Sequence, residues 1–104
     1  MKIQSAVKAL AALAQETRLS IFRILVQTGE AGLSAGQIAK ELSIPNATLS
    51  FHLKELTNAG LITARQESRF IYYAANFSAM NELLGYLTEN CCVGKAKRRA
   101  NRAL

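Results

Sequence analysis

Cys91 and Cys92 are the only thiols in the chain, and they are adjacent, within the run Asn90-Cys91-Cys92 near its end. Two soft thiolates match a thiophilic centre such as trivalent arsenic or antimony. They make a poor structural crosslink, because the Cα atoms of neighbouring residues stand about 3.8 Å apart, below the usual disulfide range. On a continuing helix adjacent side chains diverge by about 100°. Val93-Gly94 is expected to let the helix unwind there, so that both sulfurs turn inward. Lys95 to Arg99 would favour the thiolate form and partly counter the negative end of the helix dipole. The plainer reading makes Cys91 the last residue of an apolar seam and Cys92 incidental. Catalysis is not expected. The chain has one histidine, no aspartate and no paired acid–base constellation near the cysteines, which leaves nothing to activate or protonate a substrate.

The second functional centre is residues 34–73, which read as two short helices across a tight turn followed by a hairpin. Ser34 and Gln37 have the spacing of a capping box. Ile38 and Leu42 then stand four apart. Pro45 breaks the register, so a second helix starts near Asn46, with Leu49, Leu53 and Leu56 as its buried stripe. The opposite face carries Ala47, Ser50, Phe51, Lys54 and Asn58, with Asn46, Thr48 and His52 toward the flanks. Small and hydrogen-bonding groups on such a face suit a DNA major groove. The chain's only histidine sits in that helix, where DNA contact or local hydrogen bonding fits better than metal ligation.

Gly60 is expected as a left-handed C-terminal cap. Residues 61–65 then have strand composition, residues 66–69 form the tip, and residues 70–73 return as a β-branched and aromatic strand. Arg65 and Arg69 would meet phosphate from this wing. The expected fold is therefore mostly α with a small β-hairpin, a winged helix-turn-helix whose terminal helices form a dimer interface.

Length and charge set the frame. With 104 residues the chain supports one domain, expected over residues 1–94 and followed by a flexible basic tail over residues 95–104. The net charge of +6 is concentrated: Lys95, Lys97, Arg98, Arg99 and Arg102 lie in the tail, which has no acid. The body is nearly neutral, so DNA affinity would depend on the placement of Lys54, Arg65 and Arg69. The tail reads either as a solvated end or as an arm that adds phosphate contacts or tunes the thiols. No apolar run approaches a membrane span and no secretory segment is evident, so a cytoplasmic location with reduced cysteines is expected.

Two helices precede this module. Ile3, Val7, Leu10 and Ala14 mark the first, and the segment from about Glu16 to Thr28 is apolar nearly all round, as suits the centre of a core. A last helix, capped by Asn76 or Ser78, is expected to run to about Asn90 with Phe77, Met80, Leu84, Leu87 and Cys91 as a heptad-like seam. A winged helix needs only its central helices and hairpin, so Val7, Leu10, Phe77, Met80, Leu84 and Leu87 point to a homodimer contact.

The chain resembles the ArsR/SmtB group of dimeric bacterial winged-helix repressors over nearly its full length. The carriers are Ala12-Leu13-Ala14, Thr17-Arg18-Leu19 with Ile21, Ile38-Ala39 with Leu42, Leu49-Ser50-Phe51-His52-Leu53-Lys54 with Leu56, Ala59-Gly60-Leu61-Ile62, and Arg69 with Tyr73. Gln15-Glu16 departs from the usual Asp-Pro, and Ser68 stands where a wing glycine is common. The resemblance implies operator DNA as partner and release on binding a metal or metalloid. No cysteine lies in the helix before the turn and no histidine in the last helix, so the sensor sites the family builds there are missing. Asn-Cys-Cys is similar to arsenical-responsive members with cysteines at the end of the last helix. The third cysteine usual in those members is absent, which leaves arsenite, methylarsenite and antimonite open as inducers. A thiol-redox sensor is the alternative, and no permanent cofactor is expected.

Overall fold

The computed structural model describes residues 1–94. Helix α1 (Ile3–Leu13) buries Ala6, Ala9 and Ala12 and leaves Ile3, Val7 and Leu10 in solvent. Helix α2 (Glu16–Thr28) buries Ile21, Phe22 and Leu25 in the core, while Leu19, Arg23 and Gln27 are exposed. It is central, as its apolar content requires, but one side is open. The Gln15 side chain caps its first turn by accepting from the Arg18 backbone N–H, and Arg18 Nε donates to the Ala12 carbonyl at 2.6 Å, fixing α2 against the end of α1.

Strand β1 (Leu33–Ser34) leads into α3 (Ala35–Leu42), where the expected capping box of Ser34 and Gln37 is formed in both directions. Ser43 closes α3 in the left-handed region at φ 54°, and α4 (Asn46–Asn58) starts directly after Pro45. Gly60, at φ 78°, ends the helix as expected, and the Leu61 N–H reaches back to the Leu56 carbonyl.

The wing is longer than its composition suggested. Strands β2 (Ile62–Glu67) and β3 (Phe70–Ala75) pair in antiparallel register from Ile62↔Ala75 to Glu67↔Phe70, so the tip is Ser68-Arg69 alone. Ser68 adopts φ 58°, a left-handed conformation that glycine reaches without steric cost. The hairpin is also not alone. β1 pairs with β3 through Leu33↔Tyr73 and Ser34↔Tyr72, giving a three-stranded sheet in the order β1-β3-β2. Two residues are too few to show a period-2 pattern, and only tertiary pairing identifies them as a strand. Gly32 permits it, since any Cβ there would collide with the Tyr73 carbonyl.

Asn76 then joins the sheet to α5 (Phe77–Thr88). Its Oδ1 accepts from the Ala79 N–H, its Nδ2 donates to the Gly60 carbonyl at 3.0 Å, and its backbone N–H donates to Leu61 at 2.8 Å. One side chain thus caps the last helix and clasps the turn that ends α4. Of α5, only Leu83 is buried; Phe77 and Met80 are half-buried, and Leu84 and Leu87 are exposed.

Candidate nucleic-acid interface and cysteine pair

Helix α4 buries Leu49, His52, Leu53 and Leu56. Asn46, Ala47, Thr48, Ser50, Phe51 and Lys54 all remain exposed, on the side the stripe of leucines leaves outward. His52, expected to contact DNA or to hydrogen-bond locally, is only 8 % exposed, and its Nδ1 has no hydrogen-bond partner. At 100° per residue position 52 lies about 40° beyond Leu56, just outside the arc spanned by Leu49, Leu53 and Leu56, and the packing of α4 takes that edge inward. The Phe51 ring stands edge-on to it, with centroids 5.6 Å apart and planes at 63°.

Burial holds the His52 pKa below its usual value, the Arg18 charge lowers it further, and Glu55 opposes both in part. The unfolded chain therefore takes up a proton near pH 6.5 while the folded one resists it, so stability is complete above that pH and declines as pH falls below it. A thermal-melting series from pH 7.5 to pH 5.5 should show wild type losing stability and His52→Gln losing much less. An equal loss in both proteins would assign the effect to other groups.

The wing has two distinct faces, set by strand alternation. Ala64 and Tyr73 line a cleft with Ser50, Leu53, Lys54, Thr57 and Asn58 of α4. The cross-strand pair Gln66↔Ile71 shares that face and extends it toward the tip. Gln66 and Ile71 were not singled out from sequence because the expected strand ended before the first and gave the second no facing partner. Arg65 lies on the other face. Its Nη groups donate to the Ala31 carbonyl at 2.8 Å and the Glu30 carbonyl at 3.4 Å, its Nε pairs with Glu67 at 2.9 Å, and its guanidinium sits 5.3 Å from the Tyr72 ring centroid. Arg65, expected to meet phosphate, braces the wing against the loop after α2 in this protomer and keeps its side chain 42 % exposed. Arg69 remains exposed at the tip.

The cysteines lie beyond α5, not on it. The helix ends at Thr88, two residues earlier than expected, so Cys91 does not extend the seam. Asn90 at φ 60° and Cys92 at φ 65° turn the chain, and the Cys91 N–H closes on the Thr88 carbonyl at 3.0 Å. Both cysteines are exposed, and the structure pairs their sulfurs directly, with Cα atoms 3.8 Å apart, where the sequence suggested two separate thiols. The unwinding comes at Asn90 and Cys92, ahead of Val93-Gly94. Among the described residues no three His, Cys, Asp or Glu side chains gather as a metal site, and no helix is long and apolar enough to cross a membrane. The basic residues expected to tune the thiols, and the basic tail as a whole, lie outside the described residues.

Comparison with known proteins adds an independent line. Residues 13–65 match a family model described as a helix-turn-helix domain. The arsenical resistance operon repressor of Bacillus subtilis is 34% identical over 86 residues, covering 83% of this chain and 78% of that protein. An HTH-type transcriptional regulator of the same organism, YceK, is 41% identical over 61 residues, 59% of this chain and 60% of its own length. The cadmium resistance regulatory protein CadC homolog of Staphylococcus aureus is 31% identical over 74% of this chain and 62% of its own length. Among solved structures, an ArsR-like transcriptional regulator from Rhodococcus sp. RHA1 superposes with a TM-score of 0.73 at 29% identity, covering 82% of this chain and 77% of that one. The homodimeric winged helix-turn-helix domain of Mb0332 from Mycobacterium bovis gives 0.68 at 26% identity, over 83% and 78% of the two chains. Reduced HlyU from Vibrio cholerae gives 0.62 at 32% identity, over 81% and 88%.

Proposed function

The chain belongs to the ArsR/SmtB family of winged-helix transcriptional regulators, which are not enzymes, and on that footing we propose that it is a homodimeric, metalloid-responsive repressor. One α4 enters each of two successive major grooves, and Arg69 at each wing tip meets flanking phosphate. The homodimer reading is supported by Mb0332 and by the uncovered apolar row of Ile3, Val7, Leu10, Leu84 and Leu87 on α1 and α5.

The observation that carries the sensor reading is that Cys91 and Cys92 are adjacent and both exposed at a turn directly after the seam helix. Methylarsenite, CH3As(OH)2, would exchange its two hydroxyls for two sulfurs, with the thiol protons leaving in two waters. Arsenite would need a third ligand that this pair does not supply. Binding that distorts the end of α5 favours a dimer geometry whose two α4 helices no longer match one DNA turn, and this difference in affinity constitutes the coupling. Because a CadC homolog is also a relative, cadmium belongs among the ions to be tested.

The second reading is a thiol-redox switch, in which an oxidant such as peroxide modifies Cys91 or Cys92, both of which are exposed. Fluorescence-anisotropy titration of the protein–operator complex separates them. Under reducing conditions methylarsenite should release DNA at lower concentration than arsenite, with peroxide weaker than either. A response to peroxide alone would establish the redox switch. The DNA half of the proposal is tested by Arg69→Ala, which should weaken binding to all sequences and flatten the salt slope by about one unit. An unchanged slope would remove Arg69 from the phosphate contacts.

A further inference from the structure

The outward face of α4 bears a large apolar group where hydrogen-bonding residues would be expected. Phe51 is 57 % exposed, and on the helical wheel it lies opposite the stripe of Leu49, Leu53 and Leu56. It is not part of the apolar row on α1 and α5, so subunit contact through that row leaves it uncovered. The buried ring of His52 stands beside it, with centroids 5.6 Å apart and planes at 63°. Ala47, one turn earlier on the same outward line, is exposed and adds a methyl group, and Lys54 and Asn58 flank the pair with polar groups.

A major groove presents only one apolar group, the C5-methyl of thymine; all other features of the base edges are hydrogen-bond donors or acceptors. We propose that Phe51 is a specificity-determining residue that reads a thymine methyl in each operator half-site. This rests on the DNA-binding reading and names the base that reading leaves open.

The test uses the full chain and a duplex that it selects from a random-sequence pool. Each thymine is replaced in turn by deoxyuridine, which removes the methyl and leaves every hydrogen-bonding group in place. Wild type should lose about fourfold in affinity at one position per half-site, the worth of burying one methyl group. Phe51→Ala should bind the thymine and uracil duplexes equally, and Phe51→Leu, still apolar, should keep part of the discrimination. Since residue 51 is largely exposed, these variants should melt as wild type does, and the Leu variant guards against a general loss of structure. A wild type indifferent to uracil at every position, or a Phe51→Ala protein that still distinguishes the two duplexes, would overturn the proposal. A wild type that selects no duplex at all is a different result, and it would remove the repressor reading as well.

Discussion

Cys91→Ser and Cys92→Ser are each expected to leave the protein on its operator while abolishing release by trivalent arsenicals. Both positions follow the end of α5 and lie outside the DNA-facing surface of α4 and the wing, so serine changes no group that could meet DNA. A serine hydroxyl is a hard, protonated donor that does not replace a thiolate on a soft centre. One remaining thiolate still reacts, but without the chelate the second sulfur provides; losing an intramolecular second contact typically weakens binding by about 100-fold or more. The effect should be symmetric between the two substitutions, because a site with two protein sulfurs needs both. Anisotropy titration with methylarsenite, alongside intact-mass measurement of bound arsenic, reads the two quantities separately. A single mutant that still releases DNA on methylarsenite would exclude this pair as the sensor.

Leu84→Lys should convert the protein to monomers with poor operator affinity. Leu84 is 54 % exposed in the protomer, so a lysine there costs the isolated fold little. In a symmetric dimer the same substitution occurs twice and puts unpaired ammonium groups into an apolar contact, at a cost of about 3–5 kcal/mol for a fully buried uncompensated charge. Since each 1.4 kcal/mol is about tenfold in an equilibrium constant, dissociation should rise by roughly two orders of magnitude or more. Sedimentation equilibrium measures this directly, and a monomeric variant should bind a full operator no better than a half-site. A dimer of unchanged stability would move the interface away from α5.

Much of this organisation is legible in local sequence. The capping box of Ser34 and Gln37, the break at Pro45 and the left-handed Gly60 each use chemistry confined to a few consecutive residues. The helix bounds of α2 and α4 follow from such signals, and so does the exposed face of α4 at Asn46, Ala47, Thr48, Ser50, Phe51 and Lys54. Side chains three and four apart on a helix share a face whatever the rest of the fold does. The family assignment, too, stood on such runs.

The tertiary structure decided what local periodicity leaves undetermined. β1 is two residues long and becomes a strand only because β3 lies beside it. His52 sits near the boundary between faces, where which residues are buried depends on how α4 meets the core. Arg65 had the charge and position of a phosphate contact, yet its acceptors, the Glu30 and Ala31 carbonyls, lie more than thirty residues away in sequence. The cysteine pair divides between the two levels. Its soft-ligand chemistry is a property of the residues themselves, whereas its exposure at a turn depends on where α5 ends and on the left-handed conformations of Asn90 and Cys92. Residue type and short spacing determine what a side chain can do, because bonding capacity and helix or strand periodicity are local. Which groups are free to act is decided by packing, because burial and long-range acceptors exist only once the chain has folded.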